Sequence, residues 1–211
     1  MNEEKPTALS PSDELPAFSD LKEAERFAKN CRRCPLWERA TQTVFGTGAI
    51  QARVLFVGEQ PGDVEDRSGL PFVGPAGKLL DRALHAAQIK RDLCYVTNAV
   101  KHFKWEPRGQ RRLHKKPTSR EIQACRPWLD AELQTVKPEV LVCLGATAAQ
   151  SLLGKEFSVT RQRGQLVEST LAPKVVATVH PSSILRAADA AARQAQMQEF
   201  VRDLTRIAAL L

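Results

Sequence analysis

The sequence predicts an α/β fold: a three-layer α/β/α sandwich around a central, mainly four-stranded parallel sheet. Three observations carry this. Four short apolar runs, Arg53–Gly58, Cys94–Val100, Glu139–Gly145 and Lys174–Val179, are rich in β-branched or aliphatic residues and bounded by polar or turn residues, as buried strands are. Helical patterns lie between them, and β-α-β alternation implies parallel strands covered on both faces. The 211 residues, 43% of them hydrophobic, suffice for a sizeable core.

The elements follow in order. Residues 1–18 carry Pro6, Pro11 and Pro16 and few large apolar groups; they read as a disordered tail before a single domain over 19–211. Asp20 opens a helix through Leu21, Ala24, Phe27 and Ala28 that ends near Cys31. Pro75–Gln88 begins with a proline suited to a first helical turn. Thr118 and Glu121 form a Thr-x-x-Glu capping box for a helix to Thr135, where Pro127 predicts a kink or a later start. Ala146–Leu153 is a short helix, and Ala187–Leu211 closes the chain.

Charge is concentrated in one place. Lys plus Arg number 31 against 24 acidic residues, a net +7, and residues 101–120 alone hold eight basic residues and one acidic. The remaining residues therefore sum to zero, so the basic segment is a local device for an acidic partner. The N-terminus lacks the apolar stretch of a secretory signal, and no run is long enough to span a bilayer. Five cysteines, an odd number, argue against a disulfide framework. A cytoplasmic location, no membrane contact and a monomer are expected. The Gly-rich fingerprints of dinucleotide and phosphate-loop sites are absent, so no nucleotide cofactor is expected.

In an open parallel sheet, ligands gather beyond the carboxyl ends of the strands. Those ends carry Glu59-Gln60-Pro61-Gly62-Asp63, Asn98 with the basic loop, Gly145, and His180-Pro181-Ser182-Ser183. Three of the four present functional side chains. Together with Gly69-Leu70-Pro71-Phe72-Val73-Gly74-Pro75-Ala76-Gly77 and Val96-Thr97-Asn98-Ala99-Val100-Lys101, they resemble the uracil-DNA glycosylase superfamily near its iron–sulfur family 4. Gln60 and Arg111-Arg112-Leu113-His114-Lys115 are similar to its UdgX branch, although Gln110 stands where that branch has a lysine. The resemblance spans Cys31 to about Arg202.

The resemblance implies uracil-containing DNA as partner, preferably single-stranded, with the uracil flipped into a pocket and cut from its sugar. Asn98 would read the base edge, Phe72 would stack on the ring, and Gly58 would border the pocket. His180 would hydrogen-bond uracil O2 and stabilise the departing charge. Ser182, Arg186, Arg111 and Arg112 would bind the DNA, and Ile184, Leu185 or Arg186 would probe the space left by the flipped base. In the UdgX branch the residue matching His114 attacks C1′ and keeps the sugar covalently bound, with Glu59 orienting the ring; Gln60 and Asp63 complete the catalytic set.

The resemblance also implies a [4Fe–4S] cluster on Cys31, Cys34 and Cys125, with His102 where family 4 has its remaining cysteine. Cys143 is the alternative fourth ligand, although its strand (Leu141, Val142, Leu144) suits a core thiol, as does that of Cys94. The same donors suit tetrahedral Zn²⁺.

Overall fold

The computed structural model describes Phe18 and residues 20–211. The rest of the tail read over 1–18 lies outside the described residues, but Phe18 belongs to the core edge, its ring stacked 5.7 Å from that of Trp128. In chain order the helices are α1 (Leu21–Ala28), α2 (Asp63–Ser68), α3 (Pro75–Ala86), α4 (Ser119–Val136), α5 (Ala146–Leu153), α6 (Val159–Gln162), α7 (Pro181–Leu185) and α8 (Ala190–Ala208). The strands are β1 (Thr47–Gly48), β2 (Val54–Gly58), β3 (Cys94–Asn98), β4 (Trp105–Arg108), β5 (Arg111–His114), β6 (Val140–Leu144), β7 (Leu166–Val167) and β8 (Lys174–Thr178). No helix is long and apolar enough to cross a membrane among the described residues.

The sheet runs β1-β3-β2-β6-β8-β7, with β3, β2, β6 and β8 parallel. These are the four strands the sequence marked. The two-residue edges β1 and β7 pair antiparallel and make the sheet six-stranded; two residues are too few to show a period. Side chains alternate between two cores. Leu55, Val57, Tyr95, Leu141 and Val175 face one, with Trp128 and Leu129 of α4; Val54, Phe56, Val96, Val142 and Val176 face the other, with residues of α3 and α8.

Local chemistry accounts for the helix starts. The Asp20 carboxylate caps α1 by accepting from Glu23 N at 2.8 Å, and Asp189 does the same for α8. Thr118 and Glu121 close the capping box of α4. That helix runs through Pro127 rather than starting after it. Beside the proline, Arg33 Nε donates to the Ala124 carbonyl at 3.1 Å.

The basic segment is a hairpin. β4 and β5 pair antiparallel about Gly109, whose φ of 59° lies in the left-handed region glycine favours. Its charge is half spent within the protein: Lys101, Lys104, Arg112 and Lys115 pair with Glu132, Glu121, Asp63 with Asp66, and Glu106. Arg108, Arg111, Lys116 and Arg120 are exposed with no acidic partner among the described residues.

The Lys101–Glu132 pair is fully buried, the two side chains being 1% and 0% exposed. Lys101 Nζ donates to Glu132 Oε2 at 2.5 Å, Thr97 Oγ1 at 2.6 Å and the Asn98 carbonyl at 2.9 Å. Glu132 also accepts from Gly46 N at 2.8 Å and from Thr97. Removing one partner of such a pair costs roughly 3–5 kcal/mol, because the other charge stays buried alone. Lys101→Met should therefore lower the thermal midpoint by on the order of 10 °C, and the double change Lys101→Met with Glu132→Gln should recover much of that loss. Additive losses in a thermal-unfolding cycle would show that the two groups are not coupled.

Candidate functional site

The candidate site is built at the carboxyl ends of the four parallel strands. Asn98 ends β3 beside Gly58, the last residue of β2. A Cβ on Gly58 would meet Asn98 Oδ1 at 2.3 Å and Phe72 Cζ at 2.8 Å, so glycine there lets the amide and the ring close on one another. Phe72 is a buried aromatic residue with φ of 57°, a strained conformation held from outside. Gly77 makes room for it, since a Cβ there would meet the Phe72 carbonyl oxygen at 1.7 Å. The Glu65 carboxylate, buried in α2, accepts from Gly74 N at 2.9 Å and fastens the same loop. Nothing in the sequence distinguished Glu65 from the acidic run around it.

His180 follows β8 and faces Phe72, with ring centroids 6.2 Å apart. Its Nδ1 accepts from Ser182 N at 3.1 Å, and Ser182 Oγ lies 2.8 Å away. A nitrogen that accepts a backbone N–H carries no proton, so the neutral ring bears its proton on Nε2 and is a donor there. Burial pushes the ring's pKa down to about 4, with Arg186 and His114 acting in the same sense. Gly145 abuts the ring, since a Cβ on it would lie 2.8 Å from His180 Cβ. Ile184 is fully buried and is therefore removed from the three candidates for probing DNA.

His114 stands at the end of β5 with its side chain 49% exposed, Nε2 lying 3.4 Å from Glu59 Oε1. Its pKa is below the ordinary histidine value: burial dominates, Glu59 opposes, and Arg186 adds to the lowering. His114, His180, Glu59 and Arg186 thus share one electrostatic neighbourhood.

Three expected site residues take other roles. The Gln60 amide is fully engaged at the base of the hairpin: it accepts from Lys104 N at 3.1 Å and donates to the Lys115 and Lys104 carbonyls at 3.0 and 3.3 Å. Arg112, with its side chain only 12% exposed, binds Asp63 and lies 2.6 Å from the buried Asp66 carboxylate. Its guanidinium sits 5.3 and 5.4 Å from the ring centroids of Phe103 and Trp105. It anchors the hairpin rather than offering a phosphate contact. Asp63 serves Arg112 and Arg67 rather than His114; burial pushes its carboxyl up, but hydrogen bonds from Arg67 and Arg112 hold it below the usual range. Arg111 points outward, exposed beside Arg108 and Leu113.

On the α1 side, Cys31, Cys34 and Cys125 are buried free thiols. Trp128 Nε1 donates to Cys31 Sγ at 3.2 Å, and Lys101 N donates to Cys125 Sγ at 3.1 Å. Burial raises the Cys34 and Cys125 thiols, the latter to about 12, and each also feels the neighbouring cysteines. Cys143 is raised to about 12 by burial alone, with no cysteine acting on it. Cys94 Sγ donates to the Lys90 carbonyl at 3.4 Å. His102 is buried, its Nε2 2.9 Å from Thr43 Oγ1, while Thr43 donates to the Ala28 carbonyl. The Thr43 proton being used, its oxygen accepts from His102 Nε2–H, which leaves the Nδ1 lone pair for a ligand. No three of His, Cys, Asp or Glu form a group that could hold a metal ion among the described residues.

The family described as the uracil DNA glycosylase superfamily matches residues 45–205. The type-4 uracil-DNA glycosylase of Thermotoga maritima is 41% identical over 159 residues, 75% of this chain and 79% of that protein. The type-4 enzyme of Archaeoglobus fulgidus is 37% identical over 175 residues, covering 80% and 84% of the two chains. A type-5 uracil-DNA glycosylase of Pyrobaculum aerophilum is 30% identical over 173 residues, covering 74% and 73%.

The geometry at His180 makes a spectroscopic prediction. Nitrogen-15 NMR should find its ring neutral, protonated on Nε2, down to about pH 4. A midpoint near the ordinary value of about 6.5 would mean that the Ser182 amide does not hold Nδ1. The linkage sign is fixed: the unfolded ring binds its proton first as pH falls, so this contribution to stability is present above about 6.5 and is lost toward 4.

Proposed function

The chain belongs to the uracil DNA glycosylase superfamily, and from that premise we propose that it excises uracil from DNA and retains the abasic sugar as a covalent adduct on His114. The base stacks on the Phe72 ring with its edge at the Asn98 amide and its O2 toward His180 Nε2–H. The N1–C1′ bond breaks heterolytically and its electron pair leaves with uracil. A ring that titrates near 4 is neutral at working pH, and neutral imidazole is a poor acid, so it stabilises the charge on O2 by hydrogen bonding without proton transfer. The cationic C1′ is met by the Glu59 carboxylate and attacked by the His114 Nε2 lone pair, forming a C–N bond. The imidazolium is stabilised by Glu59 until Nδ1 releases its proton, and uracil takes a proton from solvent.

The observation that carries this reading is the 3.4 Å approach of His114 Nε2 to Glu59 Oε1. Depression of the His114 pKa by burial supports it, because only the neutral ring is a nucleophile. The competing reading is conventional turnover, with water taking C1′ beside a half-exposed histidine.

Arg111, Arg108, Lys116 and Arg120 are the cations left to bind phosphates. Single-stranded DNA is the expected preference, since its bases need no extrusion from a duplex; Leu185 and Arg186 remain to probe the space left by a flipped base. Cys31, Cys34, Cys125 and His102 would hold a [4Fe–4S] cluster. The N–H donors to Cys31 and Cys125 suit thiolate ligands, and the Thr43 bond leaves His102 in the ligating tautomer. When bound, the cluster supplies a cross-link between α1, the root of the hairpin and α4.

Two experiments test this. Protein mixed with a uracil-containing single-stranded oligonucleotide and boiled in SDS should give a shifted band absent with thymine. His114→Ser should lose that band yet still release uracil. Undiminished crosslinking in His114→Ser would remove the histidine as nucleophile, and multiple turnover without a band would make the enzyme conventional. Separately, the purified protein should be brown and hold iron and acid-labile sulfide. Cys125→Ala should lose both, and His102→Cys should keep them; a colourless protein carrying zinc would overturn the cluster assignment.

A further inference from the structure

Of the four strand ends, that of β6 carried only Gly145 in the sequence reading. The structure supplies its side chain from two residues further on: the Thr147 hydroxyl donates to Glu59 Oε2. We propose that Thr147 is a positioning residue, which fixes the Glu59 carboxylate so that its other oxygen faces His114 Nε2.

Apart from Thr147, only His114 lies within ion-pair reach of the Glu59 carboxylate among the described residues. The carboxylate ends a side chain with three rotors, and at 3.4 Å the imidazole is too distant to fix it by itself. Arg186, whose charge acts on both His114 and His180, is a rival partner for a carboxylate left free to turn. Thr147 can hold it because the threonine is itself held. It is 6% exposed, β-branched and in the first turn of α5, where χ1 is stiff. At that position no carbonyl of its own helix lies four residues back to compete for the hydroxyl. The N-terminal dipole of α5 favours a negative group in the same place.

The inference rests on the adduct reading of His114, and the test separates the two. Thr147→Val keeps the shape and removes the hydroxyl, while Thr147→Ser keeps the hydroxyl. Two quantities are measured: the rate of SDS-stable adduct formation on a single-stranded uracil oligonucleotide, and the NMR titration midpoint of the His114 ring without DNA. The groups facing that ring are Glu59, Arg186 and His180. Of these only Glu59 raises its pKa, so release of the carboxylate should lower the midpoint. Thr147→Val is expected to slow the adduct about tenfold or more and to lower the midpoint, and Thr147→Ser to restore both. If the parent protein forms no adduct, the adduct reading fails while the titration still decides the role of Thr147. An unmoved midpoint in Thr147→Val, or equal losses in the Val and Ser variants, would overturn the proposal.

Discussion

A two-stranded antiparallel hairpin is at best marginally stable in water, so the ring of His114 stands where it does because its hairpin is tied to the α/β body. The ties come from residues that the sequence marks for other work. Arg112 reaches through the hairpin to the buried Asp66, whose second set of partners, the amide and hydroxyl of Thr41, fixes it in turn. Gln60 clasps the two strands at their root, where Lys115 N already donates to the Lys104 carbonyl at 3.0 Å. Phe103 and Trp105 supply the aromatic faces on which the Arg112 guanidinium lies.

The same economy runs beneath the pocket. Lys101 uses its ammonium on Glu132, Thr97 and the Asn98 carbonyl, and its backbone amide on Cys125 Sγ. One residue thus touches both the end of β3, at Asn98, and the cysteine group, at Cys125. Its burial with Glu132 is costly unless both charges stay paired, which makes this junction intolerant of movement. Preorganisation of that kind is what a pocket needs if its donors are to be in place before charge develops.

What the sequence made legible follows from the range of the interactions. The central strands announce themselves by continuous apolar runs, and α1, α4 and α5 by caps and periods within a dozen residues. The pocket residues Asn98, Phe72 and His180 stand at strand ends or between glycines and prolines, where topology alone draws attention. The misreadings concern partners distant in sequence. Arg112 looks like a free cation until Asp66 is brought to it from 46 residues away, and Lys101 until Glu132 arrives from 31. Thr147 reaches Glu59 across 88 residues. The hairpin itself had a local signal, the two-residue Gly109-Gln110 turn between Arg108 and Arg111, but surrounding charge obscured its strand pattern.

The two histidines of the candidate site differ in how the body holds them. His180 is part of the sheet end, locked by Ser182 into the tautomer that donates from Nε2. His114 sits on an insertion whose two ends, Lys104 and Lys115, are hydrogen-bonded to each other, so the backbone of the main body closes behind it. The segment that carries His114 is thus tied back to the body at one point, while His180 is fixed within the sheet end itself. They share Glu59, the residue after β2, whose carboxylate lies 3.4 Å from His114 Nε2.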